Sequence, residues 1–287
     1  MSSRYRYCGL TLESRYPLPE LEVADAEIDA DIHIHETRLG SIPSDLEKYG
    51  PNWAVGPREG WWWLKNRVFF RIRPGIIEID PGNAEDSLVR ALLLEGPMVM
   101  AMIFNDSFCL NAASVAHNGN TIVFCGASGS GRSTAAARLA VQGGRILSDS
   151  LARIDVSSIN GPSIHPQGSG TLLWPHALVL LGLEDDSGMP VRRDALLRRV
   201  KLASVTQPEH VDCIYWRNPH PGTHRVGDEG DEGEQLPSTR QRFARLAAIT
   251  AGRLWIEPAA RSTAHFQWCI DLARNCQMTP APGNYFY

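Results

Sequence analysis

The sequence predicts an α/β protein in which a strand, a glycine-rich loop and a helix form the core of a mixed sheet, with a β-rich region ahead of it. Three observations lead there. Residues 121–150, TIVFCGASGSGRSTAAARLAVQGGRILSDS, run from an apolar strand pattern through closely spaced glycines into strong helix formers, then into a second strand. Residues 61–80, WWWLKNRVFFRIRPGIIEID, place β-branched and aromatic residues on both sides of Pro74-Gly75, as a hairpin does. The final quarter carries apolar residues at helical spacing. On this reading residues 1–105 form the β-rich region, ending in a helix, and residues 106–287 form the core with its C-terminal helices.

Each element has its own grounds. Residues 29–39, DADIHIHETRL, alternate as a strand with one buried face. His33 and His35 share the other face at a spacing that can ligate metal; with no third ligand in view they read as solvated strand histidines. In the hairpin, Phe70, Ile72, Ile77 and Ile79 are the strand residues. A helix starts near Asn83, where polar and acidic residues give way to apolar ones at helical spacing. Residues 88–104, LVRALLLEGPMVMAMIF, are the most apolar stretch, but Arg90, Glu95 and Pro97 interrupt it. That pattern reads as a buried helix or helix pair, not a membrane span.

Residues 107–126 give two strands joined at His117-Asn118-Gly119-Asn120, since Asn-Gly is a strong hairpin signal. The helix STAAARLAVQGG is closed by Gly143-Gly144, and RILSD follows as a strand. Residues 194–205, DALLRRVKLASV, read as a helix with Arg192, Arg193, Arg198, Arg199 and Lys201 in or beside it. Residues 218–239 are rich in Gly, Pro and acid and read as a loop or linker. TRQRFARLAAITA and TAHFQWCIDLARN are two further helices.

Composition removes several function classes. The 287 residues are 43% hydrophobic and 21% charged, ordinary for a globular chain with a sizeable core. A formal net charge of −4 argues against general nucleic-acid binding. The six cysteines are scattered without a C-x-x-C pair, and the start MSSRYRYCGL lacks a signal peptide's apolar run. A cytoplasmic protein that engages neither membrane nor nucleic acid is the expectation.

The chemistry sits in Gly126-Ala127-Ser128-Gly129-Ser130-Gly131-Arg132-Ser133, which fits the phosphate-loop pattern G-x-x-x-x-G-K-[ST] except at the lysine. Gly126, Gly129 and Gly131 permit the backbone to turn and approach a phosphate closely, with Ser128 and Ser130 completing the cradle. The helix that follows adds the positive end of its dipole. Ser133 or Thr134 offers a hydroxyl to Mg²⁺, and Arg132 supplies the cation for the β/γ-phosphates of ATP. Guanidinium is broader than an ammonium, so nucleotide affinity can survive where transfer geometry suffers. Asp149, at the end of the next strand, is placed to hold Mg²⁺ or to take a proton from an attacking hydroxyl.

These residues resemble the HPr serine kinase C-terminal domain family, particularly its stand-alone members, some of which phosphorylate a lasso-peptide precursor on serine. The likeness covers most of the chain and is most specific in residues 110–155; YRYCGLTLESRYPLPEL, LLWPHALVLLGL and HFQWCIDLA carry it more weakly. It implies a P-loop core with ATP and Mg²⁺ as cofactors. It also implies a serine-bearing peptide or small protein as partner, with a second copy of the chain as a further candidate. Ser133 matches the family's magnesium-binding hydroxyl and Asp149 the first aspartate of its pair. Asn111 stands where the family has histidine, Arg132 where it has the loop lysine, and Ser150 where it has the second aspartate. Asn111 cannot carry a proton near neutral pH. Three functions therefore compete: an ATP-dependent serine kinase with Asp149 and Arg132 as catalytic residues, a nucleotide-binding pseudokinase acting as scaffold or regulator, and a nucleotide hydrolase on the same frame.

Overall fold

A computed structural model describes residues 2–64, 67–168, 170–184, 188–190, 196–217 and 236–282. The fold is mixed α/β, with mixed sheets and more strands than helices. The N-terminal strands are β1 (Ser3–Tyr7), β2 (Leu10–Ser14), β3 (Glu22–Val23), β4 (Ile32–Glu36), β5 (Lys48–Tyr49), β6 (Trp53–Val55), β7 (Gly60–Leu64), β8 (Val68–Arg73) and β9 (Ile76–Asp80). They form one sheet in the order β3-β1-β2-β4-β9-β8-β7-β6-β5, parallel where β4 meets β2 and β9 and antiparallel elsewhere. The hairpin at Pro74-Gly75 is present, with Arg73 opposite Ile76, and Phe70, Ile72, Ile77 and Ile79 are fully buried. Ile32 and Ile34 point into the same core, leaving His33 half-buried and His35 exposed on the other face. The two imidazoles stack on each other with centroids 6.2 Å apart.

The apolar stretch that follows is a helix pair, α1 (Asp86–Leu93) and α2 (Gly96–Phe104). The first begins at Asp86, three residues beyond the expected start. By length and composition Asp86–Phe104 could cross a membrane, yet 72% of its apolar window is buried inside the protein. Every residue of α2 from Pro97 to Phe104 is buried, as befits a helix that is apolar all round. It lies between β7–β9 on one side and the C-terminal helices on the other.

A second sheet holds β10 (Cys109–His117), β11 (Asn120–Gly126), β12 (Arg145–Ser148), β13 (Leu151–Asp155) and β14 (Ser163–Ile164), with the helix α3 (Arg132–Val141) between β11 and β12. β15 (Thr171–Leu173), the helix α4 (Pro175–Leu180), β16 (Met189–Pro190) and β17 (Arg198–Val200) follow, and β15-β17-β16 make a small separate sheet. The remaining elements are β18 (Glu209–His210), β19 (Cys213–Arg217), α5 (Thr239–Ile249), α6 (Arg253–Ile256), α7 (Ser262–Asn275) and β20 (Gln277–Pro280). The second sheet runs β18-β14-β13-β10-β11-β19-β20, with β12 also paired to β10. β11, β19 and β20 are parallel to one another, so their carboxyl ends open on one side. Asn118 and Gly119 both take positive φ, 50° and 77°, in the two-residue turn from β10 to β11.

One expectation is overturned. Residues 198–200 form a strand, not part of a helix: Arg198–Val200 is the middle strand between β15 and β16, and Lys201 to Ala203 continue as irregular chain. Pairing on both edges outweighs the helical propensity of the leucines and arginines. Arg192, Arg193 and residues 218–235 of the expected loop lie outside the described residues. Ser238, at that loop's end, caps α5 in a capping box with Gln241. A single cluster of buried side chains runs from Tyr5 to Met278 and draws on both sheets.

Candidate functional site

The apolar strand β11 delivers the chain into the core and releases it at Gly126, where the glycine loop begins. Gly126, Gly129 and Gly131 take φ of 157°, 80° and 86°. Gly131 is in the left-handed region and serves as the N-cap of α3, a conformation that costs other residues about 1–2 kcal/mol. Ser130 N donates to the Ala127 carbonyl at 3.1 Å, which turns the loop back toward the helix. The result is a strand, a tight turn and a helix N-terminus in sequence, the arrangement that collects backbone N–H groups around an anion.

Asp149 follows directly after β12 and is 3% exposed. Ser133 Oγ donates to its Oδ1 at 2.6 Å, and Leu172 N donates to its Oδ2 at 2.7 Å. Burial pushes the Asp149 carboxyl above the ordinary carboxylate range, against the opposing pull of these hydrogen bonds and of Arg132. The backbone N–H of Asp149 donates to Gln167 Oε1 at 2.7 Å. Gln167 Nε2 in turn donates to the Tyr7 hydroxyl at 3.1 Å, and that hydroxyl donates to the Leu94 carbonyl at 2.9 Å. Burial keeps the Tyr7 phenol protonated by raising its pKa well above the usual value. A buried chain of hydrogen bonds thus ties the last turn of α1 to the backbone at Asp149.

Arg132 does not extend freely toward the loop. Its guanidinium donates to the Asn111 carbonyl of β10, and burial lowers its pKa from the ordinary value. Asn111 itself pairs with Leu151 of β13. Ser150 holds a positive φ of 70°, between Asp149 and β13.

These groups border a cavity of about 780 Å³, a size typical of small-molecule sites. Gly126, Ser128, Arg132, Asp149, Asn111 and Ser150 line it; Gly129, Ser130, Gly131, Ser133 and Thr134 lie beyond the wall, and Ser133 reaches it through Asp149. Of the described arginines near residue 200, Arg199 borders it and Arg198 does not. His117, at the far end of β10, does not. Three contributions had no signal in local sequence. The N-terminal region supplies Tyr7 and the α1–α2 junction, α5 and α6 supply a wall with Arg245 and Trp255, and Gln167 supplies the link beneath Asp149. Only the apolar periodicity of α1 and α5 could have hinted at faces turned inward.

Ser133 and Asp149 are both oxygen donors of the kind Mg²⁺ takes, and they already touch. Among the described residues no three His, Cys, Asp or Glu side chains form a metal-binding group. The pair therefore fits a metal that also relies on ligand phosphates, as Mg²⁺ commonly does. No protein-family model matches the chain, and no curated protein matches it.

Proposed function

We propose that the cavity binds Mg-ATP through its glycine loop and that the protein transfers the γ-phosphoryl group to a serine hydroxyl of a peptide or small protein. The observation that carries the reading is the Ser133–Asp149 contact of 2.6 Å at the start of α3, beside a glycine loop whose Gly126 and Ser128 line the cavity. The likeness of residues 110–155 to the HPr serine kinase C-terminal family supports a P-loop core and the serine acceptor. Mg²⁺, held by Ser133 and Asp149, would supply charge neutralisation at the β- and γ-phosphates. Arg132 borders the same cavity and adds positive charge to that end. In the transfer, the serine Oγ bonds to the γ-phosphorus, the bond to the β–γ bridging oxygen breaks, and ADP leaves. Asp149 takes the serine proton.

A second reading is favoured by one specific contact. Arg132 is engaged by the Asn111 carbonyl, at the two positions where lysine and histidine serve the family. A chain so arranged can hold nucleotide and act as a regulator or scaffold without transfer. Incubation with γ-labelled ATP, Mg²⁺ and a library of serine-containing peptides separates the two. Label recovered as phosphoserine, and lost in Asp149→Asn, establishes the kinase. Nucleotide binding with no labelled peptide leaves the regulator, and release of inorganic phosphate without an acceptor identifies a hydrolase.

A further inference from the structure

The glycine loop accounts for part of the cavity wall and leaves the rest unassigned. A further part is built by the carboxyl end of β19 and by the α5–α6 segment. Trp216 pairs with Cys125, the residue before Gly126, so it stands one strand away from the loop, about 4.8 Å across the sheet. The Arg245 guanidinium lies over the Trp216 ring, 3.8 Å from its centroid. On α5, Arg245, Ala248 and Ile249 all border the cavity, a spacing of three and four that places them on one helix face. Trp255 of α6 borders the same space, held edge-on by Trp53 of the N-terminal sheet at 6.1 Å between centroids.

Flat groups in a partly apolar pocket next to a phosphate cradle are suited to a flat ligand. A guanidinium stacked on indole presents a rigid planar surface, and arginine planes stack on aromatic rings and on nucleic-acid bases. The small side chains of Ala248 and Ala251 leave room beside it. Ligands also bind, as a rule, in crevices outside the carboxyl ends of parallel strands, which is where β11 and β19 both end.

We propose that the Trp216–Arg245 stack, with Trp255 bordering the same cavity, is the seat of the nucleotide's base, making the protein selective for a base-bearing triphosphate over triphosphate alone. The inference rests on the loop being a phosphate site. Arg199 and Glu95 also border the cavity, so charge alone does not single out this ligand; the planar groups do.

Calorimetric titration with Mg-ATP and with magnesium tripolyphosphate, on the full chain, tests it. The variant is Arg245→Lys, which keeps the charge and removes the plane, with circular dichroism to check that it folds as wild type. Stacking of one base is a modest contribution, so Mg-ATP affinity should fall about tenfold in the variant. Tripolyphosphate affinity should stay within about twofold. Equal losses for both ligands, or no loss for either, overturn the base seat while leaving the phosphate loop standing. If wild type binds neither ligand, the phosphate reading falls and the base seat with it. A second variant, Trp255→Leu, keeps the inference testable should Arg245→Lys misfold; it too should weaken Mg-ATP alone.

Discussion

Replacing Tyr7 with Phe removes one oxygen from the hydrogen-bond chain that joins the N-terminal sheet to the candidate site. The ring stays in its place, 1% exposed, but two buried groups lose a partner: the Leu94 carbonyl at the end of α1 and the Gln167 amide. The Leu94 carbonyl belongs to the set that a helix leaves unsatisfied at its C-terminus, so nothing within α1 can replace the phenol. A buried group left without a partner costs about 1–3 kcal/mol. Both Tyr7 and Gln167 border the cavity, so water can partly replace the phenol, and about 1–3 kcal/mol is the expected total. With a urea m-value of about 3 kcal/mol/M, the midpoint falls by about 0.3–1 M with m unchanged. The assay is urea unfolding followed by circular dichroism, for Tyr7→Phe, Gln167→Ala and the double variant. Because Gln167→Ala has already broken the shared bond, Tyr7→Phe should cost less in that background. Strict additivity, or a single-variant midpoint equal to wild type, would refute the account of Tyr7 and Gln167 as one linked unit.

Other outcomes follow from the same geometry. Ser133→Ala should weaken Mg-ATP binding by about tenfold or more, while ATP in excess EDTA binds both proteins alike; calorimetry with and without Mg²⁺ checks it. Arg132→Lys combined with Ser150→Asp should raise phosphotransfer, because the lysine leaves the Asn111 carbonyl and Asp tolerates the φ of 70° at position 150. No gain in labelled product would point to a role other than transfer. Glu78 is held by Arg71 at 2.6 and 2.7 Å and by Arg73 at 3.1 Å, which lowers its pKa. A lowered folded pKa gives stability that is present above the unfolded value of about 4.3 and lost as pH falls through the folded one. Wild type should therefore exceed Glu78→Gln by about 1 kcal/mol at pH 7, Arg71 being partly exposed. Urea midpoints should show that gap closing in acid; a gap independent of pH would contradict it.

What the sequence revealed and what it hid divide along the range of the interactions. The turns at Pro74-Gly75 and Asn118-Gly119, the loop glycines and α3 are written in residues a few positions apart, and they were legible. So was the one-sided burial of Ile32 and Ile34, since strand alternation is local. Residues 198–200 misled because their arginines and the leucines at 196, 197 and 202 favour helix, while the pairing partners that make them a strand lie at residues 171–173 and 189–190. The sequence shows Asp149 following the strand after the loop, yet its burial and its bond from Leu172 depend on chain 23 residues away. The link from Gln167 to Tyr7 spans 160 residues, and no spacing rule reaches so far. Nor could any local pattern show that Arg132 would be turned onto the Asn111 carbonyl, a contact made only once β10 and α3 are packed together.

The central claim is that residues 126–133 and Asp149 form a nucleotide phosphate site. Titration of the purified protein with Mg-ATP by calorimetry tests it most directly, with turnover followed in the same sample. Saturable binding of one nucleotide per chain, weakened by Ser133→Ala, is the predicted result. No heat of binding at millimolar Mg-ATP would contradict it, and would mean that Arg132 closes the loop instead of serving it.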